Sequence, residues 1–551
     1  MSSKPLKLLH NHYNNVKFNR SERQIEQERY LIGKVPFQRW LMFPAAFIFQ
    51  AICGSLYAWS VWNFPIDKKF YGSKTVNGKE VALEQRANIA FSIAVGFFGL
   101  SAAINGPWLE RNGPRKAALI GTSIFFIGNM IAAIGIEFNL VGILYLGYGV
   151  VGGAGLGLCY ISPVSALQKW FPDKRGMAAG FAVCGFGAGS IALAKVPAPL
   201  TAAIGLRNCF ITLACCYFFV MILCALVFRV PPPNFQVNGL DMYRNRVNAN
   251  GDIEVANAAK DAAHIVDPAS TLTLTQSIFS REYRFMYLMF FGNSIAGLVF
   301  LSRLANIVTA VYGKPPSTGD TVVAINGGFN LAGRLFFSTA SDFLGRKNAF
   351  IVMLGCQVIV LASLPTLMEN QNYPGFLAFI WIMTACYGGG FGCIPAFLCD
   401  MFGPSNIGAC HGIILTAWAI AGVFGGLLFT AIFDNYIHNG KTPADVIVYE
   451  TNLRWILGFA ALGFIFILFV RTSIRDRLLP PVAGEFTRIR LFGSLYRVGS
   501  FGLRKVSKDE EDNEWAEYCN ARLAEHQDKS SNSSTTTADQ KMDYGEKAEI
   551  H

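Results

Sequence analysis

Long apolar stretches alternate with short polar connectors along most of this chain. An apolar stretch of about 20 residues crosses the hydrocarbon core of a bilayer as a helix, because each residue adds about 1.5 Å toward a thickness of about 30 Å. The pattern predicts an all-α polytopic membrane protein with 12 transmembrane helices, near 39–62, 87–108, 117–137, 140–166, 176–199, 208–229, 284–309, 320–341, 349–368, 374–400, 407–433 and 453–473.

The predicted helices fall into two sets of six, separated by a polar stretch. This division predicts one six-helix bundle in each half, and the even number of helices places both termini on one side of the membrane. The predicted regions are a cytosolic tail at 1–37, an N-terminal bundle at 38–229, a cytosolic central loop at 230–283, a C-terminal bundle at 284–474 and a cytosolic, largely disordered tail at 475–551.

The two halves repeat each other in their connectors. The connector after the second predicted helix carries an acid, a glycine and two basic residues, and the connector after the eighth does the same: Glu110, Gly113, Arg115 and Lys116, then Asp342, Gly345, Arg346 and Lys347. Gly176 and Gly408, which open the fifth and eleventh helices, are separated by a similar interval. An internal repeat of six helices is typical of a transporter whose site lies between two bundles.

Composition agrees with a membrane protein. Charged residues make up only 15% of the chain, against about 25% in soluble proteins, and the mean hydropathy is +0.35. The net charge of +11 comes from basic residues in the amino tail, in alternate connectors and after the last helix. This positive-inside pattern predicts cytosolic termini and argues against a nucleic-acid partner; the plasma membrane is the default location.

The sequence offers little support for metal or nucleotide chemistry. The 13 cysteines lie mostly singly inside apolar stretches without a CxxC motif, and the 7 histidines are scattered. We therefore predict no metal site, and a membrane-embedded enzyme is disfavoured. The chain lacks a GxxxxGK[ST] loop, so we expect transport driven by gradients, without a cofactor.

The eighth predicted helix contains the charge on which our functional hypothesis rests. Asn326, Asn330 and Arg334 are spaced i, i+4, i+8, which places them on one side of a helix. An arginine in the middle of a membrane helix costs about 2.5–3.5 kcal/mol on insertion scales and faces a cavity or a partner. We expect Arg334 to bind the carboxylate of a transported solute. The alternative is a structural arginine paired with a neighbouring helix.

The connectors resemble the hallmark loop of the major facilitator superfamily. The segments concerned read GPWLERNGPRK at 106–116 and SDFLGRK at 341–347. The resemblance implies that the carboxylates pair with basic residues of neighbouring connectors and hold one state of a rocking cycle, and the alternative is an ordinary solvated turn. The gating residues that it implies are Glu110, Arg111, Arg115, Asp342, Arg346 and Lys347.

Four further segments resemble the oxalate:formate antiporter family, which includes monocarboxylate carriers. They are GSLYAWSVW at 54–62, ALQKWFPDKRGMAAGFAVCGFGAGS at 166–190, INGGFNLAGRLFFSTASDFLGRK at 325–347 and GIILTAWAIAGVFGG at 412–426.

In oxalate-transporting relatives an arginine on the eighth helix and a lysine on the eleventh hold the substrate. Arg334 matches the arginine, whereas Trp418 stands where the lysine would be. One cation suits one carboxylate, so we expect a monocarboxylate such as lactate, pyruvate or formate. The alternatives are a dicarboxylate such as oxalate, another solute of the superfamily, or a transporter-like sensor.

Several other side chains are candidates for the substrate cavity. Aromatic rings close over small organic anions, and hydroxyl or amide groups donate to a carboxylate. The candidates are Gln50, Tyr57 and Trp59 on the first helix, Tyr160 on the fourth, Tyr387 on the tenth and Trp418 on the eleventh. Tyr57 and Trp59 have an alternative as interfacial belt residues.

The sequence leaves open whether the cavity holds a second positive charge and which ion is coupled to transport. Lys195 and Arg303 would supply a second positive charge if they reached the cavity, or would extend to the outer surface instead. His411 and Asp400 are candidate carriers of a coupling proton, with an interfacial structural role as the alternative. Exchange against a counter-anion is the other form of coupling.

Overall fold

A computed structural model of the chain describes residues 11–13, 20–31, 34–76, 79–82, 86–193, 195–242, 272–301, 303–522 and 524. The chain divides into two compact units. The first, made of Met1–Asn245 and Leu272–Val470, contains the membrane helices. The second contains Arg246–Thr271 and everything from Arg471 onward.

The described residues of the first unit form twelve long helices, in agreement with the number predicted from hydropathy. The first six are α1 (Arg39–Ala58), α2 (Asn88–Asn112), α3 (Pro114–Glu137), α4 (Val141–Trp170), α5 (Arg175–Leu193) and α6 (Leu206–Ala225). The other six are α7 (Arg281–Leu301), α8 (Pro316–Leu344), α9 (Arg346–Glu369), α10 (Tyr373–Phe402), α11 (Ile407–His438) and α12 (Val446–Phe469).

Length and composition identify most of these helices as membrane spans. Within the described residues, 9 helices are long and apolar enough to cross a membrane, and the number rises to 10 when α7 and the bent helix after it, Leu304–Ala310, count as one span. Helix α8 carries Asn326, Asn330 and Arg334 inside its apolar stretch, and these polar residues lower its mean hydropathy.

The predicted ends of several helices require correction. The first predicted span, 39–62, changes at Gly54–Ala58 into a 3-10 turn and continues as a separate helix, Ser60–Tyr71. A Cβ atom on Gly54 would collide with the carbonyl oxygen of Phe186, so glycine lets α1 approach α5 at this point. Helix α6 ends before the predicted 229, and α12 begins before the predicted 453.

Two pairs of helices form the seam between the bundles. Helix α2 of the N-terminal half packs along α11, and α5 packs along α8. Small residues allow this closeness, since Gly106 lies against the backbone of Ala409 and Gly412 against that of Ala102. The seam therefore brings side chains from both halves of the sequence into one central layer.

The described part of the amino tail is packed against the end of the N-terminal bundle. A short helix, Glu22–Gln27, begins with a capping box on Ser21. Arg20 donates hydrogen bonds to the carbonyl oxygens of Val230 and Pro231, and Arg229 donates to that of Tyr30. In the central loop, 243–271 lies outside the described residues.

The carboxyl tail corrects our prediction of a largely disordered region from 475 onward. The structure shows a short helix, Ile474–Leu478, and an antiparallel sheet of β1 (Glu485–Leu491), β2 (Ser494–Gly499) and β3 (Gly502–Lys505). A helix follows at 508–522. Our prediction for the rest of the tail falls outside the described residues, apart from 524.

Strand periodicity explains why this charged tail folds. Arg488 and Arg490 alternate along β1 and lie on one face of the sheet. Arg488 pairs with Glu485 of its own strand at 2.6 Å. Arg490 binds Asp476 at 2.7 Å and Glu511 at 2.7 Å. Hydrogen bonds to these two carboxylates raise the pKa of Arg490 above its usual value. The high charge density that suggested disorder is thus a set of partly buried ion pairs.

We expect Arg490→Ala to destabilise the small unit, because Asp476, which is 2% exposed, would remain buried without its partner. Losing one member of such a buried pair costs about 3 kcal/mol, which corresponds to roughly hundredfold faster local opening. Amide hydrogen exchange of β1 and β2 in the intact chain measures this. The matched control is Arg504→Ala, an exposed arginine paired with Glu510. If both variants exchange at the wild-type rate, the ion pairs do not stabilise this unit.

Candidate functional site

Arg334 lies at the centre of the seam between the bundles and is fully buried, with 0% of its side chain exposed. Its Nε donates to Asn330 Oδ1 at 2.9 Å, and its Nη1 donates to the carbonyl oxygen of Val183 on α5 at 2.9 Å. The guanidinium lies 5.7 Å from the ring centre of Phe186 and 5.1 Å from that of Phe391. Both halves of the chain therefore hold this one cation.

The other two polar residues predicted on α8 continue from Arg334 along the same side of the helix. Asn330 accepts from Arg334, and its Nδ2 has no hydrogen-bond partner in the described structure. Asn326 Oδ1 accepts from Thr384 Oγ1 on α10 at 2.6 Å. Of the two asparagines, Asn330 is the one in direct contact with Arg334.

Three predicted aromatic residues meet across the seam through their polar atoms. The hydroxyl oxygens of Tyr57 on α1 and Tyr387 on α10 are 3.1 Å apart. Trp418 Nε1 on α11 donates to the same Tyr387 hydroxyl at 3.2 Å. Residues from α1, α10 and α11 are thus joined by hydrogen bonds in one layer.

Further rings pack against these three and form a cluster that we call the aromatic cage. Phe98 packs against Trp418, with ring centres 5.1 Å apart, and against Tyr160 at 5.4 Å. Phe186 packs against Tyr57 at 4.8 Å and Tyr160 at 5.4 Å. The cage consists of Tyr57, Phe98, Tyr160, Phe186, Tyr387, Phe391 and Trp418. Sequence analysis missed Phe98, Phe186 and Phe391, because a phenylalanine in an apolar span gives no signal of its own.

Two of the predicted cavity residues lie outside the cage. Trp59 packs on Tyr148, with ring centres 4.0 Å apart, and donates from Nε1 to the carbonyl oxygen of Ala87. At 1% exposure it is not a belt residue either. Gln50 donates from Nε2 to the backbone carbonyl of Tyr160 at 2.9 Å, so it supports α4 rather than facing the cage.

The two candidates for a second cation also lie elsewhere. Lys195 is exposed at the far end of α5. Arg303 donates to Thr430 Oγ1 at 2.8 Å and lies over the rings of Phe429 and Phe433. Neither residue brings a second positive charge to Arg334 in this structure.

The connector end is the end of the bundles at which the helix connectors 109–116, 169–175, 342–347 and 400–408 lie. Here Glu110, at the end of α2, accepts a hydrogen bond from the backbone N–H of Gly408 at 2.7 Å and pairs with Lys169. Asp342, at the end of α8, accepts from the N–H of Gly176 at 3.1 Å. Each carboxylate therefore caps the first turn of a helix in the opposite bundle.

Asp400 strengthens the contact between the bundles at this end. Its carboxylate binds Arg175 of the N-terminal half at 2.8 Å and Arg346 of the C-terminal half at 3.0 Å. Arg346 also binds Asp342 at 2.6 Å. Sequence analysis gave Asp400 as a candidate proton carrier with an interfacial structural role as the alternative, and these ion pairs agree with the structural role. It overlooked Arg175 within the quoted segment 166–190.

Three of the predicted gating residues donate hydrogen bonds to residues of their own half of the chain. Arg111 donates to the backbone oxygen of His12 in the amino tail at 3.2 Å. Arg115 donates to the carbonyl oxygen of Phe228 beyond α6. Lys347 donates to those of Leu468 and Val470 at the end of α12. Basic side chains at helix carboxyl ends satisfy carbonyls left without a partner, which is a structural role.

A profile of the Major Facilitator Superfamily matches residues 48–426, a range that runs from α1 into α11. The chain belongs to the major facilitator superfamily. The resemblance noted in the connector motifs is thereby confirmed, and with it a multi-pass membrane transporter whose fold has twelve helices in two bundles. Members of this superfamily are transporters rather than enzymes.

Individual relatives of this major facilitator are distant. The oxalate:formate antiporter of Oxalobacter formigenes is 25% identical over 399 residues, which cover 72% of this chain and 86% of that protein. Apicoplast pyruvate carrier 1 of Toxoplasma gondii is 22% identical over 380 residues, covering 60% and 67%. A solved proton:xylose symporter of the superfamily superimposes with a TM-score of 0.58 at 17% identity, covering 78% and 94%, which supports the fold alone.

We expect Asp400→Asn to favour separation of the bundles at the connector end of this major facilitator. Arg175 and Arg346, which are 3% and 8% exposed, would lose a shared carboxylate at a cost of about 2 kcal/mol, or roughly thirtyfold in the closed-to-separated ratio. Spin labels on Lys174→Cys and Phe343→Cys, in a cysteine-depleted background, measure the distance between the bundles.

The matched control for this measurement is Asp173→Asn. It breaks the pair between Asp173 and Arg39 at the same end of the molecule but within one bundle, so the distance distribution should stay as in the wild type. A distribution unchanged by Asp400→Asn would contradict the role assigned to Asp400.

Proposed function

We propose that this major facilitator carries a small monocarboxylate, of the lactate, pyruvate or formate type, by alternating access between its two bundles. The observation that best supports this proposal is the positive charge of Arg334 inside the seam. Arg334 is fully buried and forms no ion pair with a carboxylate among the residues that the structure describes. A buried unpaired cation is costly, and an anionic solute would offset that cost.

The hydrogen bonding of Arg334 leaves capacity for a ligand. A guanidinium has five N–H donors. The hydrogen bonds to Asn330 and Val183 use two of these donors. A planar guanidinium matches the two oxygens of a carboxylate. The surrounding aromatic cage suits the short apolar part of such an acid, and the cluster of Tyr57, Tyr387 and Trp418 supplies polar hydrogens.

Charge matching favours one carboxylate over two. Trp418 occupies the position at which oxalate-transporting relatives have a lysine, and its indole binds Tyr387 instead. Lys195 and Arg303 lie away from Arg334, so a dianion would leave one charge without a partner. The names of the relatives, an oxalate:formate antiporter and a pyruvate carrier, agree with small carboxylates as the substrate class.

The remaining features of the proposal follow from the sequence. The basic connectors favour cytosolic termini, and the plasma membrane is the default location. Gradients drive the cycle, coupled to a proton or a counter-anion. Glu110, Asp342, Arg175, Arg346 and Asp400 would hold the connector end closed while the other end opens.

We expect Arg334→Gln to reduce uptake of labelled lactate, pyruvate and formate into proteoliposomes roughly a hundredfold when the acid is below its KM. Loss of a charge-assisted bidentate contact costs about 3 kcal/mol, or roughly a hundredfold in KM. The matched control is Arg303→Gln, because that arginine is also in the C-terminal bundle but contacts Thr430; its uptake should stay within about threefold of the wild type.

Each other outcome has a defined meaning. Wild-type uptake of oxalate would favour the dicarboxylate alternative. Uptake of none of the four acids would reject carboxylate transport and leave a carrier of another solute or a sensor. Full activity of Arg334→Gln would make this arginine structural.

A further inference from the structure

Residues 11–13 of the amino tail form hydrogen bonds with the backbone of α2, a helix about 90 positions further along the chain. The Tyr13 hydroxyl donates to the carbonyl oxygen of Ala103 at 3.0 Å. Nε2 of His12 lies 2.7 Å from the carbonyl oxygen of Ile104. Because a carbonyl oxygen only accepts, this nitrogen carries the proton. Two successive carbonyls inside a membrane helix are therefore paired with the amino tail.

A proline inside α2 explains why one of these carbonyls needs an outside donor. Pro107 lies within the helix and has no N–H. In a regular α-helix the N–H at this position would donate to the carbonyl four residues earlier, which is that of Ala103. The Tyr13 hydroxyl supplies the donor that the helix lacks. The contact thus repairs a defect that the sequence of α2 creates.

The amino tail also binds α2 on the other side of the proline. Arg111 donates to Nδ1 of His12 at 2.8 Å and to its backbone oxygen at 3.2 Å. With its proton on Nε2, the neutral imidazole accepts at Nδ1, so one tautomer satisfies both contacts. The tail segment therefore bridges α2 from one turn before Pro107 to one turn after it. Prolines are the usual positions at which helices kink, and this bridge fixes the two parts of α2 relative to each other.

The part of α2 around and beyond the proline makes the contacts with the C-terminal bundle. Gly106 lies against the backbone of Ala409 on α11. Glu110 accepts a hydrogen bond from the N–H of Gly408. A change in the direction of α2 at Pro107 would move both contacts. The amino tail thus holds the segment of α2 on which closure of the connector end depends.

The second half of the chain has no equivalent of this proline. Thr339 of α8 lies three residues before Asp342, as Pro107 lies three residues before Glu110. A threonine has the backbone N–H that a proline lacks, so α8 needs no outside donor at this position. The described amino tail accordingly supports the half of the repeat that contains the defect.

We propose that residues 11–13, which we call the amino clamp, hold the connector end closed by fixing α2 at Pro107, and that release of the clamp favours opening. Tyr13 and His12 are positioning residues, because they act through Glu110 and not on the solute. The clamp is bound in the closed state and loses its contacts when α2 bends away from α11. This inference goes beyond the proposed function and applies whichever solute is carried.

The test uses the full chain in lipid nanodiscs, with spin labels on Lys174→Cys and Phe343→Cys in the cysteine-depleted background. Tyr13→Phe keeps the ring and removes the hydroxyl, so the carbonyl of Ala103 loses its donor in the closed state. The closed-to-separated ratio should fall about fivefold. His12→Phe, which loses its contacts with both Ile104 and Arg111, should shift the distances in the same direction. Distances unchanged in both variants would overturn the proposal.

A change at the proline separates the clamp from a simple anchoring role of the tail. Pro107→Ala restores the missing N–H, so the carbonyl of Ala103 can pair within the helix; Pro107→Ser restores it equally if the alanine variant does not fold. In this background Tyr13→Phe should change the ratio less than about twofold. An equal effect of Tyr13→Phe in both backgrounds would mean that its hydroxyl acts elsewhere, and the clamp mechanism would be wrong.

Tyr30→Phe is the matched control. Tyr30 also belongs to the amino tail, its ring is 43% exposed, and its backbone oxygen keeps the hydrogen bond from Arg229. The distances should therefore stay as in the wild type. Amide hydrogen exchange of 103–112 provides a second measurement and should become faster in Tyr13→Phe. Faster exchange with unchanged distances would limit the tail to local support of α2 and would also overturn the proposal.

Failure of this proposal differs from failure of the proposed function. The spin labels report separation of the bundles without any added solute. Unchanged distances would reject the amino clamp and leave carboxylate transport standing. Absence of wild-type uptake of the labelled acids would reject carboxylate transport and leave the clamp standing.

Discussion

A buried cation that has no carboxylate partner among the described residues is the constraint from which the organisation of this transporter follows. Arg334 is held by an amide on its own helix and by a backbone carbonyl on α5, and neither partner cancels its charge. Aromatic faces from both bundles surround it, which is the environment in which an arginine remains charged but poorly solvated. The proposed substrate is the group that would complete this arrangement.

The same two helices connect this centre to the connector end. Helix α8 carries Arg334 and, two turns later, Asp342, while α5 begins at the residues that Asp342 caps and continues to Val183. The interactions of Asp342 and Arg334 therefore lie along one seam between rigid helices. A solute that changes the packing of α5 against α8 at Arg334 would also change the contacts of Asp342. Binding of the solute would thereby be linked to opening of the connector end.

The internal sequence repeat corresponds to equivalent contacts of the two halves at the connector end. Glu110 and Asp342 occupy equivalent places in the two halves, and each accepts a backbone N–H from the first turn of a helix in the other half. The additional partners differ: Glu110 has Lys169 from its own bundle, whereas Asp342 shares an arginine with Asp400. The repeat is thus symmetric in its helix capping and asymmetric in its ion pairs.

The sequence alone was sufficient to predict the helices, the repeat and the placement of Asn330 and Arg334 on one side of a helix, because hydropathy and helical spacing are local properties of the chain. It did not reveal that Trp59 and Gln50 turn away from the cage, that Tyr57 meets Tyr387, or that Arg175 reaches Asp400. These contacts join residues far apart in the chain, and only the packing of the helices decides them. The charged carboxyl tail is the same case, since its arginines find their carboxylates only after the strands and the helix come together.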